Sequence, residues 1–145
     1  MTPSAACEAL IKSFESCRLT AYLPTPNDVP TIGFGSTGHD VMMGVTWTQE
    51  QADARFDSDL ANFAARVSDA APIATQGQFD AMVSLAYNIG MGNFTASTLL
   101  RLHNAGHYDA VPFQFGRWVF QGKEILPGLI ARRKAEAAMY QGEQT

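Results

Sequence analysis

Residues 14–38 read FESCRLTAYLPTPNDVPTIGFGSTG, and this stretch decides the fold because helical periodicity stops inside it. Just upstream, Thr2-Pro3-Ser4 offers cap residues and an early proline, and Cys7, Leu10, Ile11 and Phe14 fall on one helical face. After Glu15 the pattern changes. Arg18-Leu-Thr-Ala-Tyr-Leu and Thr31-Ile-Gly-Phe-Gly favour extended chain, and Pro24, Pro26 and Pro30 stiffen the connection between them. Gly33, Gly35, Gly38 and Gly44 mark turns or close backbone approach. A small β hairpin or sheet over about 18–46 therefore follows one helix.

Outward from this segment the signals are helical. Thr48-Gln-Glu-Gln51 reads as a capping box ahead of Phe56, Leu60, Phe63 and Val67 at helical spacing. A second box, Thr75-Gln-Gly-Gln78, opens a run that is apolar nearly all round, which predicts a helix through the core. Further helices are expected near 96–105, stopped by Gly106, near 109–116, and from about 128 to 141. The fold class is α+β and mainly helical. A β-rich lobe of about 18–46 and a helical lobe of about 48–142 with the first helix make one domain, and a cleft between two such lobes is a natural ligand site.

Composition narrows the function. A net charge of −4 and a pI near 5.2 argue against a general nucleic-acid or anionic-membrane binder. No apolar run approaches the roughly 20 residues of a membrane span, and MTPSAACEALIKSFE lacks the basic region and apolar core of a secretory signal. The expectation is a cytosolic chain that something else must release. If Cys7 and Cys17 share a helix, a rise of about 1.5 Å per residue holds them roughly 15 Å apart. A disulfide needs Cα atoms within about 7 Å, so two free thiols are expected. His39, His103 and His107 are scattered, so neither a metal nor another cofactor is expected.

Three residues could do chemistry together. Glu15 closes the first helix, and a carboxyl half-buried among apolar neighbours resists ionisation and can donate a proton near neutral pH. Asp28 sits in the proline-stiffened loop, where Asn27-Asp28 is also ordinary turn chemistry. Thr31 opens the next strand; it is a good β residue, and its hydroxyl could orient a water beside Asp28. Cleaving a glycosidic bond needs an acid on the leaving oxygen and a second polar group that activates water. No Ser-His-Asp set, nucleophile elbow or phosphate loop competes.

Glu15-x-x-Arg18-x-x-Ala21-Tyr22 followed by Thr31-Ile-Gly-x-Gly35 resembles the active-site segment of phage-type lysozymes, glycoside hydrolase family 24. The similarity runs through Thr48-x-Glu-Gln-Ala, the stretch Gln78 to Gly90, Phe94-x-x-Ser97-Thr-Leu-Leu100 and Trp118, and closes with Pro127-Gly-Leu-Ile-Ala-Arg-Arg133-Lys-Ala-Glu136. The resemblance implies a lysozyme-like fold and hydrolysis of the β-1,4 bond between N-acetylmuramic acid and N-acetylglucosamine. It makes Glu15 the general acid, Thr31 the hydroxyl at the catalytic face, and an aspartate between them the third member. Inversion is the implied outcome.

The chain departs from that family twice. The aspartate usual nine residues after the glutamate is replaced by Pro24 in a longer loop, which leaves Asp28 for the role. Ser36 stands where many relatives carry a structural or orienting histidine after Gly-x-Gly. Tyr22, Tyr87, Asn88 and Trp118 lie at family cleft positions and suit sugar binding, though each serves equally well as a core aromatic or helix-end polar group. Arg18, Arg132 and Arg133 are expected to be structural, the last two through ion pairs. The implied actor is an endolysin that accumulates in the host cytoplasm and reaches the periplasmic wall through a holin-type pore. It would bind peptidoglycan glycan strands as a monomer, without nucleic acid or stable membrane insertion. A lytic transglycosylase, a chitinase-like hydrolase and a non-catalytic peptidoglycan-binding module are the alternatives.

Overall fold

The computed structural model describes residues 1–142. In chain order it contains α1 (Ala5–Phe14), β1 (Arg18–Tyr22), β2 (Thr31–Gly33), α2 (Gln49–Ala70), α3 (Gln76–Ile89), α4 (Met91–Thr95) and α5 (Thr98–Asn104). A 3₁₀ turn (Tyr108–Ala110) then leads to α6 (Val111–Phe115), β3 (Phe120–Gln121), β4 (Glu124–Ile125) and α7 (Pro127–Tyr140). The α+β, mainly helical class read from the sequence holds. The chain forms two compact units: Lys12–Asn62, and Met1–Ile11 with the chain from Phe63 onward. The division falls inside α1 and inside α2.

The helical unit is built on α3. Thr75 accepts from the Gln78 amide while the Gln78 side chain accepts from the Thr75 amide, closing the box anticipated from sequence. Residues 79–86 are all buried, as an apolar-all-round helix requires. α7 lies against α3 so closely that a Cβ on Gly77 would stand 2.5 Å from the Met139 carbonyl oxygen. Arg132, Arg133 and Glu136 of α7 are buried with Ser84 of α3, and the Ser84 hydroxyl donates to Glu136 Oε2 at 2.5 Å. At the start of the chain, the Ser4 hydroxyl donates to Asp80 Oδ2 at 2.5 Å.

The Lys12–Asn62 unit holds the anticipated hairpin. β1 and β2 run antiparallel with Arg18 opposite Gly33 and Tyr22 opposite Thr31, and the register shifts between those two pairs. A third segment joins by the Thr20–Thr46 bridge, the Ala21 amide to the Val45 carbonyl and the Trp47 amide to the Leu19 carbonyl. Ala21, Ile32 and Val41 close over Val45 and Trp47 as a small core. The second anticipated capping box is present: Thr48 Oγ1 accepts from the Gln51 amide and Gln51 Oε1 from the Thr48 amide.

Several sequence expectations need adjusting. The helix near 96–105 begins at Thr98, capped by Ser97, and the five-residue α4 precedes it as a separate element. The stretch near 109–116 is a 3₁₀ turn running into α6. The β3–β4 hairpin was not anticipated; two-residue strands carry too little alternation to register as a pattern, and Gly122 at φ 62° was its only signal. Cys17 lies beyond α1, so the helical separation invoked for the thiols does not apply. Both are nonetheless free, Cys7 buried and Cys17 half-buried. Burial pushes the Cys7 thiol far above its usual range.

Candidate active site

Glu15 is the first residue after α1 and is partly exposed. Its carboxylate lies over the backbone of Gly35: a Cβ built on that glycine would stand 3.0 Å from Glu15 Oε2 and 3.5 Å from the carboxyl carbon. Gly35 also has φ +84°, in the left-handed region that favours glycine. The turn Phe34–Gly35 thus supplies a bare seat against which the carboxylate rests. In the same unit, Phe34 and Phe56 meet edge to face at 5.4 Å, and Lys12 Nζ lies 5.1 and 4.8 Å from their ring centres.

Gly35→Ala should therefore act on the chemistry more than on the fold. The positive φ costs about 1–2 kcal/mol in stability for a residue with a Cβ. The clash falls on the flexible end of Glu15, which yields by swinging away, and a shift of about 1 Å at a catalytic group can cost roughly 100-fold in rate. The rate of the glycoside hydrolysis expected of Glu15, measured beside thermal unfolding, checks this; undiminished activity would show that the seat does not position Glu15.

Thr31 and Asp28 are joined through one intervening residue. The Thr31 hydroxyl donates to the Val29 carbonyl at 3.0 Å, and Asp28 Oδ1 accepts from the Val29 amide at 3.0 Å. The Asp28 amide in turn bonds the Thr25 carbonyl, closing the proline-rich turn. Thr31 is 6% exposed, whereas Asp28 is open to solvent. Because the Thr31 proton is committed to a carbonyl, the lone pairs of Oγ1 are left to accept from a water. Asp28 keeps its second oxygen, Oδ2, for a further partner.

Ser36, at the other departure, is a fastening point. It is buried, and its hydroxyl donates to Asp59 Oδ2 at 2.6 Å. Asp59 Oδ1 accepts from Arg55 Nε at 2.9 Å, while Arg55 also donates to Asp40 and to the Thr37 carbonyl, each at 2.6 Å. The Arg55 guanidinium holds the Asp40 carboxyl below its ordinary range. This network ties the chain after Gly35 onto α2.

Of the candidate sugar-binding residues, Tyr22 stands beside Thr31 on the hairpin and carries the Arg18 guanidinium carbon 4.1 Å from its ring centre. Tyr87, Asn88 and Trp118 belong to the helical unit. The Tyr87 ring lies 5.3 Å from that of Phe63, Asn88 is exposed near the end of α3, and the Trp118 carbonyl accepts from Arg133 at 3.3 Å. Sequence reasoning missed the Gly35 seat and the Arg18–Tyr22 stack. The first was hinted at only by a glycine, the second by a four-residue spacing along a strand.

Comparison with known proteins assigns the family. The phage lysozyme family model matches residues 12–136. The chain is 42% identical over 137 residues to the endolysin of Acyrthosiphon pisum secondary endosymbiont phage 1, covering 91% of this chain and 92% of that protein. It is 40% identical over 133 residues to the endolysin of Bacillus phage PZA, covering 90% of this chain but 52% of the relative. The chain thus spans about half the length of that relative and of the Bacillus phage B103 endolysin. Among solved structures, the endolysin from Escherichia coli O157:H7 phage FAHEc1 superposes with a TM-score of 0.81 at 35% identity, covering 97% of this chain and 93% of that one. The muramidase domain of SpmX from Asticaccaulis excentricus gives 0.83 at 34%, covering 94% and 95%. This chain belongs to the phage lysozyme family.

Proposed function

We propose that this protein is a muramidase that hydrolyses the β-1,4 bond between N-acetylmuramic acid and N-acetylglucosamine in peptidoglycan, as an endolysin for host lysis. The observation that carries the reading is the Glu15 carboxyl laid on the bare Gly35 backbone, in the same compact unit as the Thr31 hydroxyl. In the reaction, the Glu15 proton passes to the glycosidic oxygen as the C1–O bond breaks. A water hydrogen-bonded to Thr31 Oγ1 attacks C1 from the opposite face, and Asp28 takes its proton. Inverting enzymes space the two carboxyl groups about 6.5–9.5 Å apart to admit that water.

Tyr22, Tyr87, Asn88 and Trp118 are proposed to contact the sugars, acting in a monomer. No helix among the described residues is long and apolar enough to cross a membrane, which is compatible with synthesis in the host cytoplasm and release through a holin-type pore to the periplasmic wall. The described residues include no group of three or more His, Cys, Asp or Glu that could hold a metal.

The test is the chemistry of the products. Purified sacculi digested with the protein and analysed by mass spectrometry should yield muropeptides ending in borohydride-reducible N-acetylmuramic acid. Anhydro ends would mean a transglycosylase that uses no water, and binding without release of ends would mean a non-catalytic module. In the same assay Asp28→Ala should lose about 100-fold or more of the rate, with the melting temperature nearly unchanged because the side chain is solvent-exposed. A fully active Asp28→Ala would return that residue to a purely turn-forming role.

A further inference from the structure

The Lys12–Asn62 unit carries three cations, Lys12, Arg18 and Arg55, against seven acids. Two of the cations have clear employment. Arg55 holds Asp40 and Asp59, and Lys12 rests on Phe34 and Phe56. Arg18 pairs with no carboxylate among the described residues, although it is exposed in an acidic unit. Its side-chain contact is the ring of Tyr22, with the guanidinium carbon 4.1 Å from the ring centre. Contact with the ring restrains the guanidinium while its N–H groups stay available to a partner.

The pairing of Tyr22 and its contact with Arg18 say which side of the hairpin the guanidinium is on. Residues opposite one another in an antiparallel pair project to the same side of the sheet. Arg18 is opposite Gly33 and Tyr22 opposite Thr31, and the stack joins the two positions. Ile32, between the two partners, projects to the other side, into the core with Ala21 and Val41. Arg18, Tyr22 and Thr31 thus share the face turned away from that core. Arg18 lies three residues beyond Glu15, and its contact with Tyr22 puts it on the Tyr22 side of β1.

We propose that the Arg18 guanidinium, held over the Tyr22 ring, is an anion subsite on the Thr31 face that takes a carboxylate of the peptide stem borne by muramic acid. This rests on the muramidase reading and extends it, since it makes recognition depend on the substituent as well as on the glycan. A planar fork prearranged by stacking suits a carboxylate, which accepts two parallel N–H bonds, and it loses little rotamer freedom on binding. A bare chitin-like strand offers no such anion.

The experiment measures co-sedimentation with purified sacculi, in a Glu15→Gln background so that the polymer is not consumed. Native sacculi are compared with sacculi whose carboxylates have been capped with glycinamide by carbodiimide coupling. Capping should weaken the parent's binding about five-fold, the size of one partly exposed charge pair. Adding Arg18→Gln should weaken binding to native sacculi to the same degree and abolish the response to capping. Arg18→Lys, which keeps the charge but loses the fork, should fall between the two. Two results would overturn the subsite: a parent indifferent to capping, or an Arg18→Gln loss equal on both polymers, which marks a merely structural support for Tyr22. Failure of the muramidase reading itself shows separately, as absence of released reducing ends.

Discussion

Glu15→Gln should reduce the hydrolysis of purified peptidoglycan by about 100- to 10,000-fold, the range that one positioned general acid contributes. The amide matches the carboxyl in shape, so it can occupy the same seat on Gly35, where the nearest carboxyl oxygen would stand only 3.0 Å from an added Cβ. What it lacks is a transferable proton. The leaving sugar would then depart as an alkoxide without a proton donor, and Thr31 cannot stand in because its proton is already given to the Val29 carbonyl. Thermal unfolding should change little, and binding to sacculi should persist. Turbidity clearance measured beside wild type decides the matter; equal rates would remove Glu15 from the reaction and leave the fold without its acid.

The second large effect is on stability. Glu136 is fully buried, with Arg133 Nε at 2.7 Å, Arg132 Nε at 3.3 Å and the Ser84 hydroxyl at 2.5 Å. The shortest ion contact is poorly aligned as a hydrogen bond, so its attraction is mainly charge on charge. Burial pushes the Glu136 carboxyl up from the usual range, while the two guanidiniums and Ser84 hold it down. With two permanent cations beside it, the anion is the form that balances the site. Removing it by Glu136→Leu leaves two buried guanidiniums without their carboxylate, and breaking such a buried pair costs about 3–5 kcal/mol. At about 3 °C per kcal/mol for a chain near 150 residues, the melting temperature should fall by roughly 10 °C or more. Calorimetry checks it, and a loss under about 1 kcal/mol would mean that the guanidiniums find water or other partners at little cost.

Much of the architecture was legible because its signals are local. Thr75 and Thr48 announced helices three residues ahead of Gln78 and Gln51, and both boxes close as reciprocal hydrogen bonds. The run from Phe79 to Ala86 announced burial on all sides, and it is buried throughout. The β3–β4 hairpin was invisible for the converse reason, since two residues per strand cannot display a period of two. The ion pairs expected of Arg132 and Arg133 are present, but their partner, Glu136, was quoted only as part of a motif.

The site divides along the same line. Glu15 and Thr31 were proposed from sequence because the motif carries them, and Asp28 because it is the one acid between Glu15 and Asp40. Their surroundings could not be named. That Ser36 fastens to Asp59, twenty-three residues on, depends on α2 folding back over the turn.

The sequence by itself determined most of the helices and the position of the hairpin after α1, since caps, periodicity and glycine or proline punctuation act within a few residues of chain. Only the tertiary structure decided that Gly35 is the seat of Glu15, that Val29 links Asp28 to Thr31, and that Arg18 lies on Tyr22. Each of these is a contact of a few ångströms between groups whose distance is set by strand register and turn geometry, which spacing along the chain leaves undetermined.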